Sequence, residues 1–157
     1  MINIKIIVVG KTKENWIKQG EEHYLKLLKK YVDCHLIFVK EEKIDQNKNE
    51  KLIKEKEKQR ILKYWEKDGV KIALDVLGEK FSSGEFASFF QNNLNQGKNK
   101  FIFIIGGALG LSEDIKKLCQ LRLSFSPMTF THEMIRLLLL EQIYRAFSII
   151  RGTKYHK

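Results

Sequence analysis

A chain of 157 residues with a formal charge of +10, 43% hydrophobic and 31% charged residues, reads as one folded domain and not as a disordered chain. Its two cysteines lie 85 positions apart and its four histidines match no ligand spacing, so disulfide and metal frameworks have no support. No apolar run reaches the ~18 residues of a membrane span, and Met1–Lys5 enters a strand-like pattern without a basic leader, so no membrane contact and a cytoplasmic location are expected.

Ile2–Val9 alternates and then runs apolar before Gly10, which predicts a buried strand and a turn. Thr12 is the predicted cap of the next helix. Trp16, Gly20, Tyr24, Leu27, Leu28 and Tyr31 recur at spacings of three and four, which predicts its buried face. Cys34–Val39 is a second strand. Residues 40–71 carry eleven bases and eight acids. That mixture predicts a mobile loop over 40–49 and a solvated helix beyond it. Val70–Leu77 is a third strand, closed by Gly78. Ser82 or Ser83 then caps a helix lined by Phe86, Phe89, Phe90 and Leu94, and Gly97 ends it.

Phe101–Ile105 is a fourth strand that breaks at Gly106-Gly107. Ser112 with Glu113 and Asp114 marks a helix start. Leu121–Phe125 is a fifth strand that breaks into Ser126-Pro127-Met128. Thr131 opens a long helix to about Ile150, stopped by Gly152. Strands alternating with helices predict an α/β fold, a mostly parallel sheet with helices on both faces. Ligands of such sheets bind at the carboxyl ends of strands, so a site is expected where the loops after the fourth and fifth strands meet.

Those loops narrow the ligand. Gly106-Gly107-Ala108-Leu109-Gly110 is not GxGxxG, it follows the wrong strand, and no acid stands about twenty residues on. No Gly-Lys-Ser/Thr occurs either, so neither a nicotinamide cofactor nor ATP is supported. Paired glycines after a buried strand admit either a tight turn or the close approach of a ligand. Met128 and Phe130 are apolar where loops are usually polar, beside the hydroxyls of Ser126 and Thr129. That mixture suits a flat, partly apolar ligand held by main-chain groups. Residues 116–157 carry eight bases against two acids, mixed with Tyr144, Tyr155 and His156. Cations beside rings suit RNA, phosphates for the one and bases for the other.

The segments IIVVGK (6–11), IGGALGL (105–111) and LSFSPMTFTHEMIRLLLLEQIYRAFSIIRGTKYHK (123–157) together closely resemble the bacterial ribosomal RNA large subunit methyltransferase H family, part of the SPOUT superfamily. The resemblance spans the chain and is strongest over 101–157. It implies a single SPOUT domain over 1–157, with a C-terminal trefoil knot and no separate RNA-binding domain. It implies methylation of N3 of a pseudouridine in 23S ribosomal RNA with S-adenosyl-L-methionine, on the assembled ribosome and without a metal. It also implies a homodimer whose cofactor site lies next to the partner. By resemblance, Leu74, Gly106 and Phe125, Ser126, Pro127, Met128, Thr129 and Phe130 hold the cofactor. Pro127 lacks an amide donor, so adenine forgoes that bond if relatives use it. Arg136, Tyr155 and His156 are expected around the target base, and Arg145, Arg151 and Lys154 on the RNA. The N3 proton must leave, and the sequence names no acceptor for it. The rival expectation is a non-catalytic ribosome- or RNA-binding protein on the same fold.

Overall fold

A computed structural model describes residues 1–156. Five parallel strands form one sheet: β1 (Asn3–Val9), β2 (Asp33–Val39), β3 (Val70–Lys80), β4 (Lys100–Ile105) and β5 (Leu121–Ser124), in the order β2-β1-β4-β3-β5. Alternate residues of the central strands point to opposite faces. Ile4, Ile6 and Val8 of β1 and Phe101, Phe103 and Ile105 of β4 join one core, whereas Ile7, Val9, Ile102 and Ile104 join the other. This explains why both strands read as unbroken apolar runs.

Helices α1 (Asn15–Leu28), α3 (Ser83–Asn95) and α5 (His132–Ile150) cover the first face. Helices α2 (Glu50–Leu62) and α4 (Glu113–Lys117) supply Ile61 and Ile115 to the second. The steps β1→β2 and β3→β4 run one way along the sheet and the other two run the opposite way, so right-handed crossovers place their helices on opposite faces. Caps mark the boundaries as expected. Ser82 and Glu85 form a capping box, Ser112 accepts from the Ile115 amide, and Thr131 accepts from the Met134 amide.

Three local expectations are corrected. Thr12 does not cap α1. The helix begins three residues later behind Glu14, and the Thr12 hydroxyl is buried against Glu21. In the predicted stripe Leu28 is buried and Tyr24 and Tyr31 lie against Tyr144 of α5, but Trp16 is half exposed, and Ile17 and Glu21 are the other buried residues of α1. Gly20 serves the contact with α5: a Cβ there would lie 2.7 Å from the Leu137 side chain. Gly78 does not close β3 either. The strand runs on to Lys80 through an irregularity in which both Leu74 and Glu79 face Leu123, so residues 75–78 bulge out of the ladder. A Cβ on Gly78 would lie 2.5 Å from the Arg122 carbonyl oxygen, so glycine is what lets the bulge close on β5.

Residues 40–49 are irregular but tied down. Glu42 is paired with Lys48 and Arg60, which hold its carboxyl down to about 2. Its folded value lies below the ordinary 4.5, so its contribution is present above pH 4.5 and fades as pH falls towards about 2. The melting temperature of Glu42→Gln should therefore fall below wild type at pH 6, and the gap should close on acidification. A gap that stays constant from pH 6 to pH 3 would contradict this pairing.

Candidate functional site

The carboxyl ends of β3, β4 and β5 open into one cleft of about 950 Å³, closed on the remaining sides by the first turns of α1 and α5. That volume suits a molecule of nucleoside size or somewhat larger. The β3 bulge brings Leu74, Asp75, Val76 and Leu77 to it, and the loop after β4 brings Gly106 to Leu111. Phe125, Ser126, Met128, Thr129 and Phe130 complete it from the loop after β5. The glycine pair is a tight turn first. A Cβ on Gly106 would lie 2.6 Å from the Gly110 carbonyl carbon and 2.8 Å from the Leu111 amide. Gly110 adopts φ +79° and its amide donates to the Gly107 carbonyl at 3.0 Å. The turn folds on itself, and this self-contact makes the floor of the cleft.

The 125–130 loop is also internally braced. The Met128 amide donates to Ser126 Oγ at 2.9 Å, and Ser124 Oγ donates to the Ser126 carbonyl at 3.1 Å. The Met128 amide is therefore engaged within the loop. Pro127 is exposed and does not line the cleft, unlike the other expected cofactor residues.

Helix α5 is anchored to the opposite wall. Glu133 accepts from the Lys13 and Glu14 amides at 2.7 and 3.1 Å. His132 lines the cleft, and burial, then the Arg136 charge, push its pKa down, so it stands as neutral imidazole at neutral pH. Nothing in its spacing to other residues marks it out in the sequence.

The other expected residues lie elsewhere. Arg136 is fully buried, donating to the Val9 carbonyl at 2.8 Å and to Thr12 Oγ1 at 3.1 Å. It is therefore not placed to line a target base, a correction forced by the turn of α5 that faces β1. Arg145 lies about 15 Å along α5 from Ile135, the last residue of α5 to line the cleft. Arg151 and Lys154 are exposed beyond it. Tyr155 and His156 fold back over the same helix: Tyr155 donates to Glu141 Oε1 at 3.1 Å, its ring lies under the Arg145 guanidinium, and His156 Nδ1 is 3.4 Å from Arg145. Neither lines the cleft of its own chain.

The family model described as "Predicted SPOUT methyltransferase" matches residues 2–156. The chain belongs to the SPOUT methyltransferase family. A protein of Halothermothrix orenii named ribosomal RNA large subunit methyltransferase H is 48% identical over 99% of this chain and 100% of its own length. Proteins of the same name from Clostridium kluyveri and Alkaliphilus oremlandii are 45% and 46% identical over the same shares. The chain thus falls within the methyltransferase H group that its motifs resemble. Two solved structures share the fold. A probable methylase family protein of Haemophilus influenzae Rd KW20 has a TM-score of 0.57 at 16% identity, over 98% of this chain and 70% of that one. A probable methyltransferase of Bordetella pertussis Tohama I has 0.56 at 12%, over 91% and 95%. No described helix is long and apolar enough to cross a membrane, and no His/Cys/Asp/Glu cluster that would hold a metal occurs among the described residues.

Proposed function

We propose that this chain methylates N3 of a pseudouridine in 23S ribosomal RNA with S-adenosyl-L-methionine, acting on the assembled ribosome in the cytoplasm. The observation that carries the reading is convergence. Leu74, Gly106, Phe125, Ser126, Met128, Thr129 and Phe130, from three loops up to 56 positions apart, line one cleft of fitting volume. The relatives' names support its coarser part, methylation of large-subunit ribosomal RNA. S-adenosyl-L-methionine supplies a methyl group on a sulfonium. The chain's part is to orient: Leu74, Met128 and the phenylalanines give flat apolar walls, and the 106–111 turn gives a rigid floor. Neutral His132 at the wall is a candidate acceptor for the N3 proton.

The acting unit is a homodimer of single-domain chains without a separate RNA-binding module, each knotted where α5 follows the 125–130 loop. Trp16, Leu77 and Met128 support the dimer, since they leave the rim of the cleft apolar and exposed by 53%, 88% and 74%. A second copy covering that rim brings its own Tyr155 and His156 to the base, which the tail cannot do for its own cleft. Arg145, Arg151 and Lys154 then hold RNA phosphates beside the composite site.

Calorimetry with S-adenosyl-L-methionine tests the core of this reading. Binding in the micromolar range is expected, and none at millimolar cofactor favours a non-catalytic RNA-binding protein. His156→Ala should lower methyl transfer to ribosomes more than about tenfold and cofactor affinity less than about twofold. Unchanged transfer at saturating cofactor removes His156 from the site.

A further inference from the structure

The cleft wall is mostly apolar or small. Among the described residues, Lys116 of α4 is the only lysine or arginine that lines it. Its ammonium lies 3.3 Å from the Asp75 carboxylate, which the β3 bulge carries to the same wall. Their side chains are 15% and 7% exposed, so this pair is largely withdrawn from water. The Leu77 amide donates to Asp75 Oδ1 at 3.1 Å and fixes the carboxylate's direction. Lys116 also lies 3.4 Å from Glu113, whose carboxylate is mostly in solvent. The other lining carboxylates are used differently: Glu133 is taken by two amides, and Glu14 precedes α1 at the mouth.

Two opposite charges held in a sheltered wall are matched by a ligand with two opposite charges of its own. Withdrawing either partner alone leaves a poorly solvated charge, whereas a zwitterion offers each a new one. We propose that Asp75 and Lys116 form the subsite for the amino-acid end of the methyl donor, Lys116 taking the α-carboxylate and Asp75 the α-ammonium. The proposal rests on the donor reading above. It assigns the specificity for the charged end to a pair whose members stand 41 positions apart, on the bulge of β3 and on α4. The apolar walls and the 125–130 loop are left to the adenosine.

The test uses the full chain, calorimetry and three probes. S-Adenosylmethionine carries the zwitterion and the sulfonium, S-adenosylhomocysteine carries the zwitterion alone, and 5′-methylthioadenosine lacks the amino-acid end. Lys116→Gln and Asp75→Asn should each weaken the first two about tenfold and the third less than about twofold. Melting temperatures, read in parallel, should fall in both variants, because each strands the other charge, and the comparison among the three probes separates that loss from the subsite. Equal weakening of all three probes makes the pair a structural prop and overturns the subsite. So does unchanged affinity for all three, or a loss confined to the KM for ribosomes, which would give Lys116 to RNA phosphate. A wild-type chain that binds none of the probes overturns the donor reading itself, a result distinct from any of these.

Discussion

Gly106→Ala should lower methyl transfer about 100-fold while leaving the chain folded. The added Cβ runs into the Gly110–Leu111 peptide, at 2.6 Å from the Gly110 carbonyl carbon, 2.8 Å from the Leu111 amide nitrogen and 2.9 Å from the Gly110 oxygen. A flexible side chain could swing away from such a contact, but a closed turn has to open. The turn is the cleft floor, so the reacting groups are displaced by about an ångström, which costs on the order of 100-fold in rate. Cofactor affinity should fall by a similar factor, about 2.7 kcal/mol. Gly107→Ala is the control. Its nearest contacts are the Val9 side chain at 3.2 Å and the Glu57 carboxylate at 3.4 Å, which give way more easily. Its effect should be at least tenfold smaller by calorimetry and by transfer of labelled methyl. Equal effects from the two substitutions would show that the turn's self-contact is not what shapes the floor.

Arg136→Met should be the most destabilising substitution near the cleft. Arg136, Thr12 and Glu21 form a buried chain: the guanidinium donates to Thr12 Oγ1, and that hydroxyl donates to Glu21 Oε1 at 2.5 Å. Burial pushes the Glu21 carboxyl up and the Arg136 guanidinium down, and their attraction offsets part of both shifts. Removing the cation strands Glu21 and leaves the Val9 carbonyl without this donor. The loss of a buried partner costs about 3–5 kcal/mol. Chemical denaturation should show it as a lowered midpoint with an unchanged slope. Adding Glu21→Gln to Arg136→Met should recover part of the loss, because the stranded charge is then gone. A single substitution costing under about 1 kcal/mol would contradict this chain.

These two residues also show what the sequence carried and what it hid. The strands and most helix starts were readable because apolar runs, capping residues and glycines act locally. The loops after the fourth and fifth strands were readable as a site because a parallel sheet exposes those ends. Arg136 was not, since a charged residue on a helix ordinarily faces solvent or ligand, and only the packing of α5 against β1 inverts that. The bulge at 75–78 was hidden for a related reason. Gly78 looks like the end of a strand, and its closeness to Arg122 exists only once β5 is paired. Tyr155 and His156 were legible as chemistry but not as position, because the tail returns along its own helix. The Asp75–Lys116 pair joins two elements with no common sequence signal.

Mapping the methylated nucleotide distinguishes the proposed activity from its rivals. Ribosomes lacking the modification are incubated with the chain and labelled S-adenosyl-L-methionine, and the RNA is digested and read by mass spectrometry. Label is expected on one nucleotide, a pseudouridine of 23S ribosomal RNA carrying the methyl at N3, and about 100-fold more slowly with Gly106→Ala. Label on another base, or none from a chain that binds the cofactor, would contradict the proposed activity.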